Sequence, residues 1–279
     1  DTVDVVVESF EEAHPDITVE VFRAPTGELT ARIAAEQRAG GLAADVLWLT
    51  DPLSMQQYQA DGLLLAWDPE EMEAVPSEYR TETFFGTRIL NLVVVHQPGV
   101  EVEDWSDLPS QDGQVALPDP GFAGSAFAAV AYFMQREGYG PEFYREMARG
   151  GGIQVQSPGD VVFGVAEGTY VAGVTLDRLA RDAIADGSPL DVTWPSSGAI
   201  AIYSPIAVVA GSDGEGAGRS FLNHTLGIEA QEAIARTGWQ PIRPDVEWET
   251  RGPAAGVDWE SAFDRQDELL DGYRAAFGG

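Results

Sequence analysis

The apolar positions of this chain change their spacing as the sequence advances. Over residues 3–13, Val3, Val6, Val7 and Phe10 recur on one helical face, and His14-Pro15 breaks the run. The next segment, ITVEVFRA, alternates apolar and polar residues and predicts a strand, closed by Pro25-Thr26-Gly27. ELTARIAAEQRAG returns to helical spacing with Leu29, Ile33 and Ala34 inward, and Gly40-Gly41 end it. ADVLWLTDP reads as a buried strand running into a loop at Thr50-Asp51-Pro52. Strand, helix and strand in this order predict a parallel sheet with helices on its faces, an α/β fold.

Near residue 87 the pattern shifts to TRILNLVVVHQ, a long and continuously apolar strand, followed by the acidic PGVEVEDWSDLP. A second alternating unit follows, with a strand over 114–117, a helix from Ser125, a helix over 141–149, and a strand over 153–156. It continues with a helix over 158–167, a strand over 170–174 and a helix opening at Leu176-Asp177. DVTWPSSGAIAIYSPIAVVAG is long and apolar again, and residues 215–279 are helical with Pro-rich interruptions. Two long strands around a self-contained middle unit predict two lobes joined by two crossovers. Residues 1–94 with 204–279 form the first lobe, 95–203 form the second, and a cleft lies between them.

Length supports this division, since 279 residues suggest about two domains at roughly 150 residues each. No apolar run approaches the ~18 residues that span a bilayer. Charge narrows the partners. There are 46 acidic against 16 basic residues, a formal net charge of −30, and every basic residue is arginine. Such a surface repels nucleic acid and anionic membranes. Its self-repulsion should ease with salt, so stability is expected to rise with ionic strength. Without cysteine there is no disulfide framework, thiol nucleophile or thiolate metal site. The chain opens at Asp1 directly into a helix, so any export segment or lipid anchor is expected to have been removed or left out of these residues.

In open α/β sheets, ligands sit beyond the carboxyl ends of the strands. That rule selects Pro25-Thr26-Gly27, Thr50-Asp51, Gly121 to Ser125, and Thr175-Leu176-Asp177, each offering a hydroxyl, a glycine or an acid at a helix start. The third is the most informative. A short strand at Val115-Ala116-Leu117 stops at Pro118-Asp119-Pro120, then Gly124-Ser125 open an alanine-rich helix. Ser125 is a favoured N-cap there, and free N–H groups at such a start can hold an anion. Enzyme signatures are scarce: His14, His96 and His224 lack metal-ligand spacing, and no nucleophile elbow, Walker loop or dinucleotide fingerprint occurs. A hydrolase using a carboxylate pair stays open because acids are so numerous.

The ordered series FRAPTGELTARIAAE, ADVLWLTDP, VALPDPGFAGSAF, GTYVAGVTLDRLA and GWQPIRPDV resembles the periplasmic solute-binding proteins of ABC importers. It is most similar to the type II, ferric-ion and phosphonate or sugar-phosphate branch. The resemblance implies a two-lobed binding-protein fold hinged on two crossover strands. It also implies a monomer outside the cytoplasmic membrane, with no cofactor and no catalysis, delivering a small anionic solute to a permease and its ATPase. By position it carries ligand contacts onto Thr26, Gly27, Thr50 and Asp51 from the first lobe. Gly124, Ser125, Ala126, Thr175 and Asp177 follow from the second, with Tyr203 near the second crossover. A ferric ligand, held by Tyr203, Tyr58 or Tyr170 and clustered acids, is the alternative. Ferric-binding members carry adjacent tyrosines about where Thr175-Leu176 stand, which argues against iron. Relatives also place a short apolar strand ahead of the first helix, so here one wall of the site is expected to be absent or formed differently.

Overall fold

The computed structural model describes residues 1–277. It begins α1 (Thr2–Ala13), α2 (Thr26–Ala39), β1 (Val46–Trp48), α3 (Pro52–Ala60) and β2 (Phe84–His96). The middle of the chain is β3 (Val115–Pro118), α4 (Gly124–Gln135), α5 (Gly140–Arg149), β4 (Ile153–Val155), α6 (Pro158–Ala166), β5 (Ala172–Leu176) and α7 (Asp177–Ala185). Then come β6 (Asp191–Thr193), β7 (Ala199–Val208), α8 (Glu215–Leu226), α9 (Ile228–Arg236), β8 (Gln240–Pro241), β9 (Ala254–Ala255), α10 (Trp259–Asp264) and α11 (Gln266–Phe277). No described helix is long and apolar enough to cross a membrane.

The chain divides into two compact units, with the division falling inside the two long strands: Ile89/Leu90 in β2 and Ile202/Tyr203 in β7. The first unit is Asp1–Ile89 with Tyr203–Glu249. The second is Leu90–Ile202 together with the chain from Thr250 onward. The tail was expected with the first lobe. Instead α11 packs on α5 and α4, because Tyr273 sets its ring edge-on against Tyr144 at 4.8 Å and accepts a 2.7 Å hydrogen bond from Gln154.

In the first unit, β1 pairs antiparallel with β7, from Val46↔Val208 to Trp48↔Ile206, and β2 pairs with β8 at Arg88↔Pro241. The Trp48 indole donates to Thr87 Oγ1 at 2.9 Å and Ser204 Oγ at 3.1 Å, fixing its side chain. Gln231, fully buried, joins α9 to β2 and to the residue after β8: its amide donates to the Thr87 carbonyl at 2.9 Å and its oxygen accepts from Ile242 N–H at 3.0 Å. Phe10 of α1 meets Phe221 of α8 edge-to-face at 5.1 Å. The predicted strand over ITVEVFRA does not form. Residues 17–24 have no ladder partner among the described residues, and alternation alone makes no strand without one. Side chains hold the segment instead: Val19 N–H donates to Glu11, Arg32 covers Phe22, and Arg23 pairs with Asp1 and Asp4. Val21 and Phe22 stay 43% and 53% exposed.

The second unit has a parallel centre. β3 pairs with β4 and with β5, so all three strands end on the same side. The ladder turns antiparallel where β5 meets β2, from Leu92↔Leu176 to His96↔Ala172. Gly173 allows close approach here, since a Cβ would lie 2.4 Å from a Val161 methyl and 2.7 Å from the Ala116 carbonyl. Trp105 is fully buried and donates to the Gly198 carbonyl at 2.9 Å. α4 is apolar on all sides, and residues Gly124 to Phe133 are all buried, as expected of a helix inside a core. Phe133 stacks on Phe143 at 4.4 Å.

Candidate functional site

In the first unit, α2 opens with Pro25 as its N-cap residue and Thr26 as its first residue. The amides of Thr26 and Gly27 find no acceptor among the described residues. Thr26 Oγ1 lies 3.2 Å from Thr50 Oγ1, so the structure brings these two predicted residues together. Asp51, 2% exposed, caps α3: its carboxylate accepts from Ser54 N–H at 2.9 Å and Ser54 Oγ at 3.2 Å. Burial raises the Asp51 pKa, and the two Ser54 hydrogen bonds oppose that rise. Tyr203 is buried, with its ring 5.5 Å from Tyr79. Burial, and then the Asp51 charge, raise its phenol well above the usual range, so it stays neutral. The Tyr58 phenol is raised chiefly by burial, with a smaller push from the Asp51 charge and an opposing hydrogen bond to Thr30.

In the second unit, the parallel register brings the carboxyl ends of β3, β4 and β5 side by side, and α4, α6 and α7 begin just beyond them. Ser125 is not the N-cap of α4. Ala123 takes that position, with no side-chain cap, because Asp119 already gathers the turn: its carboxylate accepts from Gly121 N–H, and its carbonyl from Phe122 and Ala123 N–H. Ser125 therefore becomes the second residue of the helix. Its hydroxyl and N–H, with the N–H of Gly124, have no hydrogen-bond partner among the described residues, although Ser125 is only 4% exposed. Ala126 N–H is committed to the Ala123 carbonyl at 3.0 Å. This helix start, at the positive end of a backbone dipole, leaves two amides and one hydroxyl open to an anion.

The other two residues of the second unit are already engaged. Thr175 is fully buried and donates to the Pro158 carbonyl at 2.8 Å. Asp177 begins α7, 2.8 Å from Arg181 Nη2 and 3.8 Å from Arg251 Nε. The Asp177–Arg181 pair is visible in sequence as an i, i+4 spacing, whereas no local signal announces Arg251. The two cations compensate an acid that would otherwise repel an anion nearby. Arg178 pairs with Asp182. Among the described residues, no three of His, Cys, Asp and Glu group to hold a metal ion.

The model of the bacterial extracellular solute-binding proteins matches residues 1–240. No curated protein matches the sequence. Among solved structures, a periplasmic binding protein, AfuA from Actinobacillus pleuropneumoniae with fructose-6-phosphate bound, has a TM-score of 0.87 at 19% identity over 99% of this chain and 95% of that one. The substrate-binding protein of an ABC transporter from Agrobacterium tumefaciens scores 0.88 at 18% identity, over 99% and 91%. Iron-bound HitA from Pseudomonas aeruginosa scores 0.85 at 17% identity, over 99% and 95%. At these identities the structures establish the fold, that of the type II periplasmic binding proteins, and the match over residues 1–240 places the chain in the bacterial extracellular solute-binding protein family.

Proposed function

We propose that this protein is the solute receptor of an ABC importer, working outside the cytoplasmic membrane, and that it binds a small solute through a phosphate, phosphonate or similar oxyanion group. The observation that carries this reading is the start of α4, where Ser125 and the amides of Gly124 and Ser125 are unpartnered in a buried setting. These neutral dipoles act at contact range, which is how a protein of net charge −30 can hold an anion while salt screens its overall field. The AfuA structure, with a sugar phosphate bound, supports the same class of solute. On this reading the solute passes to a membrane permease and its ATPase.

A ferric ligand draws less support, although HitA binds iron. Fe(III) favours phenolates, and burial holds Tyr58 and Tyr203 in their neutral form. A hydrolase would need free carboxylates. The two buried ones among the described residues, Asp51 and Asp177, are committed to capping α3 and to arginine partners. The test is Ser125→Ala. Removing one hydroxyl donor to a charged group costs about 1.5–3 kcal/mol, so the dissociation constant of a phosphorylated solute should rise about tenfold or more by calorimetry. An unchanged constant would remove Ser125 from the site.

A further inference from the structure

The chain sets 46 acids against 16 arginines. Among the described residues, thirteen arginines have a carboxylate within 4.0 Å: Arg23, Arg32, Arg80, Arg145, Arg149, Arg178, Arg181, Arg219, Arg236, Arg243, Arg251, Arg265 and Arg274. Of the remaining three, Arg38 and Arg136 are exposed on helix ends and need no counterion. Arg88 is the exception. It is half-buried in β2, its Nε is fully buried, and its guanidinium makes no hydrogen bond or ion pair with any described residue. Burial pulls its pKa down to about 10, so it is still charged at neutral pH.

Indoles surround this cation instead of acids. Its Cζ lies 5.6 Å from the ring centre of Trp48 and 5.2 Å from that of Trp239. These cation–π contacts offset only part of the desolvation. The guanidinium N–H groups, a fork that can grip a carboxylate or phosphate through two parallel bonds, have no acceptor among the described residues. The setting is rigid, because Thr87 and Ser204 hold the Trp48 indole. Trp48 also ends β1, two residues before Thr50, whose Oγ1 meets that of Thr26.

We propose that Arg88, braced by Trp48 and Trp239, is a reserved anion-binding residue of the first unit that takes an oxyanion group of the transported solute. This rests on the reading of the protein as a receptor for anionic solutes. The counterion that the fold withholds is then supplied by the ligand, which makes the residue a determinant of specificity for charged over neutral solutes.

The test compares wild type, Arg88→Met and Arg88→Lys, by tryptophan emission and melting temperature, titrated with inorganic phosphate, acetate and chloride at constant ionic strength. Wild type should give a saturable emission change with phosphate, acetate or both, and none with chloride; the arm that responds identifies the group. Arg88→Met should weaken that response at least tenfold, yet melt no lower than wild type in buffer without oxyanion, since it removes an uncompensated charge. Arg88→Lys, which keeps the charge and loses the fork, should fall between. A response in Arg88→Met within twofold of wild type would overturn the role of Arg88 and leave the solute reading standing. Melting several degrees lower in all buffers would mark Arg88 as structural and overturn it too. If Arg88→Met does not fold, the lysine variant decides: weaker binding supports the role of the fork, and binding as tight as wild type overturns it. No response of wild type to either oxyanion would overturn both this proposal and the reading beneath it.

Discussion

Tyr273 joins the C-terminal tail to the second unit, and Tyr273→Ala measures how firmly. The side chain is 2% exposed, sits edge-on against Tyr144 at 4.8 Å and accepts a 2.7 Å hydrogen bond from Gln154. With Ala126, Ala129 and Val130 of α4 it lines a small apolar cavity that the substitution would enlarge. Truncating a buried aromatic costs about 3–5 kcal/mol, and at roughly 2–4 °C per kcal/mol the melting temperature should fall by about 6–20 °C. Tyr273→Phe isolates the hydrogen bond and should cost about 1 kcal/mol. Burial pushes the Tyr273 phenol up to about 12, so the comparison at neutral pH involves no change of charge. Urea unfolding gives both values. Since α11 supports α4, Tyr273→Ala should also weaken oxyanion binding at the start of α4. A loss below about 1 kcal/mol for Tyr273→Ala would refute the assignment of the tail to this unit's core.

Three further outcomes are expected. His224, half-buried beside Ser9 and His14, has its pKa lowered by burial and then by His14, below its ordinary 6.5. The unfolded chain therefore takes up the proton first, and stability should fall as pH drops through 6.5 toward the folded-state value; His224→Gln should flatten that part of a urea-midpoint profile, and parallel profiles would contradict it. Amide exchange should be fast over residues 20–24, which lack a ladder, and slow in β2; protection of both would contradict the unpaired segment. The melting temperature should rise from low to high salt, as a net charge of −30 requires, and an unchanged value would count against it.

What the sequence made legible followed from continuous local patterns. The long apolar runs gave β2 and β7, and the alternating unit between them gave β3, α4, α5, β4, α6, β5 and α7 nearly at their observed bounds. What failed depended on distant partners. ITVEVFRA has strand alternation, but no described strand pairs with it. Tyr273 shows no sign in sequence of meeting Tyr144, so the tail was expected in the other unit. Ser125 fits an N-cap by type, yet Asp119 closes the turn first and shifts the helix start by two residues. Arg88 was invisible because its distinction is the absence of a neighbouring acid, and sequence spacing does not record that.

The most direct test of the central claim is a thermal-shift panel on the wild-type protein in high salt, with inorganic phosphate, phosphonates, sugar phosphates, carboxylates, neutral sugars and ferric citrate. A ligand at a hundredfold excess over its dissociation constant stabilises the folded state by about 2.7 kcal/mol, a shift of several degrees. That shift is expected with at least one phosphorylated or phosphonate solute and none with neutral sugars. A shift with neutral sugar or ferric citrate alone, with every oxyanion solute inert, would contradict the claim.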